Sequence, residues 1–138
     1  MSTSQNQAVK TAAELLVNTC HGAAAKGGWW NDLSTGEALT CNLPAGEKPK
    51  RNVGELLCLI HSEISEGMEG ARKSKADEHL PHRLSLEVEL ADAVIRICDL
   101  SGGMGLDLAG AIAEKLEYNA RRADHKPENR RMDDGKKF

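Results

Sequence analysis

Asn52-Val53-Gly54-Glu55-Leu56-Leu57-Cys58-Leu59-Ile60-His61-Ser62-Glu63-Ile64-Ser65-Glu66 decides the fold class. Val53, Leu56, Leu57, Ile60, Ile64 and, beyond the stretch, Met68 recur at helical spacing and make one apolar face. Asn52 is a good N-cap residue, and Glu55 stands three positions later, as in a capping box. A helix is therefore expected from near Asn52 to around Arg72. Glu63 and Glu66 lie three apart on it. Residues three apart share a face, with Cβ atoms roughly 5–6 Å from one another.

The next helix carries a second acidic pair. It is expected to open near Ser85 and to run through Cys98, with Glu89 and Asp92 again three apart. Asp92 is bracketed by Leu90, Ala91, Ala93, Val94 and Ile95. An acid in so apolar a segment is seldom buried unless it is paired or bound to a metal. One such pair by itself reads as a solvated helix face. Two pairs on consecutive helices read differently. If the helices pack face to face, four carboxylates converge, and they repel unless a cation sits among them. Hard oxygen ligands select a hard cation, which makes Mg²⁺ the natural occupant, with Mn²⁺ as a substitute.

The rest of the chain is helical too. Val9, Ala12, Ala13, Leu16, Thr19, Cys20, Ala23 and Ala24 mark a first helix from about Gln7 to Lys26, ended by Gly27-Gly28. Ser101-Gly102-Gly103-Met104-Gly105 breaks the third helix, and a fourth is expected from about Leu106 to Ala123. Pro127 bars its continuation. No stretch alternates with a period of two, so the class is all-α, a four-helix bundle-type fold. Residues 1–126 form one domain, and 127–138 read as a disordered charged tail. Residues 31–50, rich in Gly, Pro, Asn and Ser, form a long connection of the kind that often serves as a lid. The charged segment 73–82 is a linker.

Composition narrows the partners. Eighteen basic and 21 acidic residues give a net charge of −3, which makes no electrostatic case for nucleic acid or an anionic membrane. No run approaches the roughly 18 apolar residues that span a bilayer. The polar start lacks the basic and apolar blocks of a signal peptide. Cys20, Cys41, Cys58 and Cys98 are scattered without C-x-x-C spacing, as in a reduced, cytoplasmic protein.

Lys115, Asn119 and Arg122 fall at i, i+4 and i+7, one stripe of the fourth helix. Lys offers a point charge for phosphate and Arg a bidentate fork. Cations near a helix C-terminus also have a purely structural reading, since the helix dipole favours them there. Tyr118 and Arg121 lie off the stripe. Trp29 and Trp30 are two of only four aromatic residues. An indole can stack on a nucleobase, or it can close the end of a bundle, and a split between these roles is the expectation. His61 lies on a different face from Glu63. His79-Leu80-Pro81-His82 lacks the Cys or acid that would complete a zinc set and reads as linker. There is no G-x-x-x-x-G-K-[ST] phosphate loop.

Together, Glu55 to Glu66, Glu89-Leu90-Ala91-Asp92 and Lys115-Leu116-Glu117-Tyr118-Asn119-Ala120-Arg121-Arg122 resemble the motifs of the all-α nucleoside triphosphate pyrophosphatases, and within them the MazG-like proteins. The resemblance covers about residues 8–125, with the three motifs in the family's order. Val88 departs from the pattern, since many relatives carry an acid before the second pair. The resemblance implies that Glu63, Glu66, Glu89 and Asp92 hold Mg²⁺ and serve catalysis. It gives Lys115, Asn119 and Arg122 the triphosphate, and indole stacking adds Trp29 or Trp30 as the face for the base. The implied reaction is hydrolysis of a (deoxy)nucleoside triphosphate to the monophosphate and pyrophosphate, in nucleotide-pool control or housecleaning. It also implies a homo-oligomer, a dimer or tetramer; the charge and hydropathy read above speak for no nucleic-acid and no membrane partner. The rival reading is a non-catalytic helical interaction module with a structural cation.

Overall fold

A computed structural model describes residues 2–136. In chain order the helices are α1 (Thr3–Lys26), α2 (Val53–Lys73), α3 (Ser85–Gly103), α4 (Leu108–Arg121) and α5 (Pro127–Arg130), with 3₁₀ turns at Leu43–Ala45 and Ala123–His125. Among the described residues there is no strand, only isolated bridges pairing Asn31 with Ala38 and Ala76 with Leu84. The all-α class is thus as expected.

Helix boundaries follow local chemistry. α1 begins four residues earlier than the apolar stripe implies. Ser2 and Gln5 cap each other there: the Gln5 amide donates to Ser2 Oγ at 3.2 Å, and the Ser2 amide to Gln5 Oε1 at 3.0 Å. α2 starts as expected, with Asn52 Oδ1 accepting from the Glu55 amide at 3.3 Å. α3 continues through Ser101, Gly102 and Gly103 instead of breaking there. Asp107 caps α4 by accepting from the Gly110 amide at 2.8 Å. Over the expected tail, α5 and turns fill residues 127–136; Lys137 and Phe138 lie outside the described residues.

The chain divides into two compact units. The larger spans Leu16–Leu106 and the smaller joins the chain up to Leu15 with the chain from Asp107 onward. In the smaller unit, α4 buries Ala109, Gly110 and Ala113.

In the larger unit, α2 and α3 pack antiparallel. Gly67 faces Glu89, Gly70 faces Ser85, and Glu63 meets Arg96 further along. A Cβ at Gly67 would meet Glu89 Cβ at 3.3 Å, so glycine there permits the close approach that brings the two acidic pairs together. The connection between these helices is ordered by Asp77, which is buried and accepts the amides of His79 at 2.9 Å and Leu80 at 2.6 Å.

The core of this unit is Trp30, Cys41, Leu56 and Met104, flanked by Ala24, Ala25, Leu39, Leu43, Val53 and Leu100. Segment 31–50 is therefore not a free lid. Its Cys41 amide donates to Gly103 O at 3.0 Å and its Leu43 amide to Met104 O at 3.1 Å, so it straps the end of α3 and satisfies carbonyls that a helix terminus leaves open. A Cβ at Gly103 would fall inside the Trp30 indole, which explains the small residues at the end of α3.

Candidate metal centre

α2 presents Glu63 and Glu66, and α3 presents Glu89 and Asp92, to one open cleft of about 720 Å³. Carboxylate oxygens of Glu63, Glu89 and Asp92 all lie within 4.8 Å of one another. Oxygens bound to one hard cation at about 2.0–2.6 Å are at most about 5 Å apart, so the three fit a shared Mg²⁺, Mn²⁺ or Ca²⁺. Glu66 lines the same cleft, is exposed, and stands outside this three-oxygen set.

The electrostatics show how crowded the anions are. The Glu89 carboxyl is pushed above its ordinary value, first by burial and then by the negative charges of Glu66, Glu63 and Asp92. A hydrogen bond shared with the Glu63 carboxylate acts in the same direction, because only protonated Glu89 can donate it. All four acids singled out from the sequence thus line one cleft.

One cation enters the cluster that the sequence reading missed. Arg96 Nε donates to Glu63 Oε1 at 2.6 Å. Arg96 follows Glu89 and Asp92 at i+7 and i+4, so its spacing on α3 was the available signal.

The two tryptophans separate sharply. Trp30 is 2 % exposed and Trp29 is 71 % exposed. Trp30 Nε1 donates to Asp99 Oδ1 at 2.6 Å, and its ring meets His21 edge-on at 5.4 Å and Arg51 at 5.1 Å. As a buried core residue Trp30 has no face open to a base, which corrects its place among the candidate substrate contacts.

Lys115, Asn119 and Arg122 belong to the smaller unit, and the acids to the larger. Lys115 Nζ lies 4.8 Å and Arg122 Cζ 5.9 Å from the centre of the Tyr118 ring. Tyr118, placed off the stripe by its spacing, therefore lies against both cations. Arg122 forks onto Asp124, with Nε 2.9 Å from Oδ1. That contact raises the Arg122 pKa and lowers that of Asp124. Asn119 Oδ1 is buried and accepts no hydrogen bond. Arg121 pairs with Glu117 on the neighbouring turn. Compared with protein-family models, curated proteins and solved structures, the chain matches none.

Proposed function

We propose that the protein is a Mg²⁺-dependent pyrophosphohydrolase of (deoxy)nucleoside triphosphates, MazG-like in fold. The observation that carries this reading is the convergence of Glu63, Glu89 and Asp92 within 4.8 Å, from two acidic pairs on adjacent helices. The order of the acidic and Lys-Asn-Arg motifs along the chain supports the same reading.

Glu63, Glu89 and Asp92 would hold the cation. A divalent ion held there supplies Lewis-acid polarisation of phosphoryl oxygens and a lowered pKa for water. Glu66, exposed and outside the three-oxygen set, is suited to take the proton of the attacking water. Lys115, Asn119 and Arg122 on α4 are the candidate triphosphate contacts that the order of the motifs suggests, Lys as a point charge and Arg as a bidentate fork. Trp29 would stack on the base.

The working unit in this reading is a dimer or a dimer of dimers. Leu57, Ile64 and Met68 on α2, and Leu90, Val94 and Ile97 on α3, are each between 39 % and 59 % exposed. Covering them with a second copy removes apolar surface from water, at roughly 25 cal/mol per Å². Among the described residues no helix is long and apolar enough to cross a membrane. Cys20, Cys41, Cys58 and Cys98 are free thiols, which fits the reduced cytoplasm.

The test is a panel of canonical and modified dNTPs and NTPs incubated with protein and Mg²⁺, with products separated by chromatography. Monophosphate and pyrophosphate in equal amounts are expected from at least one nucleotide. No pyrophosphate from any of them favours a helical interaction module with a structural cation.

A further inference from the structure

We infer that Arg96 is the resident counter-ion of the acidic cluster, and that it exchanges Glu63 for a phosphate oxygen of the substrate when a divalent cation takes the acids. The inference rests on the metal-centre reading above.

Glu63 is the most buried of the four acids, at 7 % exposure. A buried carboxylate is costly without a charged or hydrogen-bonding partner. The Arg96 guanidinium supplies that partner through a charge-assisted bond of 2.6 Å. The two ends of this pair differ in freedom. The Glu63 side chain is 9 % exposed and that of Arg96 is 44 % exposed. Glu63 is thus held in the cleft wall, whereas Arg96 reaches it from the solvent side and has room to turn away.

A divalent cation drawn to Glu63, Glu89 and Asp92 competes with the guanidinium for Glu63. Two like charges on one small carboxylate repel each other. The guanidinium is the one free to leave. Its stem stays anchored on α3, in line with Asp92 four residues earlier, so the released head remains at the same cleft. Among the described residues, Lys75 is the only other Lys or Arg lining that cleft. A nucleotide carried in with the metal brings phosphate oxygens, and the planar fork of Arg matches them in bidentate geometry. The same side chain would pair with Glu63 before a cation binds and grip the phosphate afterwards.

Titration calorimetry on wild type, Arg96→Gln and Arg96→Lys separates these roles. Mn²⁺ is titrated alone first, and then a non-hydrolysable α,β-imido dNTP is titrated at saturating Mn²⁺. Arg96→Gln is expected to bind Mn²⁺ about tenfold more tightly, since a competing charge-assisted bond is gone, and the analogue about tenfold more weakly. Arg96→Lys is expected to move both constants in the same directions by smaller factors, and it carries the test if the Gln variant does not fold. Unchanged or weaker Mn²⁺ binding in the variants overturns the inference, because Arg96 then only positions Glu63. Tighter Mn²⁺ with unchanged analogue affinity overturns the exchange. If Mn²⁺ binds neither wild type nor variants, the metal-centre reading itself fails, and the inference falls with it.

Discussion

Trp30 Nε1 and Asp99 Oδ1 are joined by a 2.6 Å hydrogen bond that ties the residues after α1 to the last turns of α3. His21 Nδ1 lies 3.0 Å from the same oxygen, so one carboxylate organises two aromatic rings. Trp30→Phe keeps most of the ring volume and removes the donor. It should lower unfolding free energy by about 1.5–3 kcal/mol, the range for hydrogen bonds to charged groups, whereas Trp30→Ala should cost about 3–5 kcal/mol through cavity formation. Urea denaturation monitored by circular dichroism checks both. Equal, negligible effects would mean that Trp30 is not a core residue.

Trp29 should behave in the opposite way. Trp29→Ala removes an exposed side chain and should leave the melting temperature within a degree or two of wild type. If its indole stacks on the base, the variant should lose roughly 1–3 kcal/mol of nucleotide binding, about 5- to 150-fold, mainly in KM. Nucleotide should also quench tryptophan fluorescence in wild type but not in this variant. A normal KM together with retained quenching would remove Trp29 from the base site.

Glu89 gives a pH dependence with a definite sign. Its carboxyl is raised by burial and by Glu66, Glu63 and Asp92, so the folded protein holds this proton more tightly than the unfolded chain does. Its contribution to stability is therefore present at acidic pH and is lost as pH rises from the ordinary glutamate value through the raised one. Glu89→Gln should flatten that loss when metal is chelated. With metal the dependence reverses, because binding expels the proton: affinity should fall as pH is lowered through the same window. Denaturation curves from pH 4 to pH 8, with chelator and with Mg²⁺, measure both. A metal-free stability that rises with pH in wild type more steeply than in Glu89→Gln would refute the sign.

Assembly is testable through mass action. With Leu57, Ile64, Met68, Leu90, Val94 and Ile97 left partly exposed in a single copy, the melting temperature should rise with protein concentration. Met68→Lys or Val94→Lys should shift light scattering toward monomer. A fully active monomer at micromolar concentration would contradict the assembly.

The acidic cluster was legible because helical spacing is a strong code. Glu63 with Glu66, and Glu89 with Asp92, needed only a period and the expectation that consecutive helices pack. Arg96 obeys the same period but looks like any surface cation until Glu63 is seen to be buried beside it. The strap from residue 31 to residue 50 was not legible. It is held by backbone bonds such as Cys41 N to Gly103 O, which leave no side-chain period. Trp29 and Trp30 are identical in type and adjacent, so only the tertiary partners of Trp30, Asp99 and His21, separate them. α1 was read four residues short because its start depends on the Ser2–Gln5 cap and not on the apolar stripe.

The central claim is that these acids bind the cation on which pyrophosphate release depends. It is tested most directly by measuring that release from the best nucleotide of the panel, as a function of Mg²⁺, for wild type, Glu66→Gln and Asp92→Asn. Each substitution removes one charge with little change in volume. The wild-type rate should rise and saturate with Mg²⁺. Both variants should keep the helical spectrum and lose about 100-fold or more in rate at saturating metal, as loss of a metal ligand or general base requires. Near wild-type turnover in both variants at saturating Mg²⁺ would contradict the account.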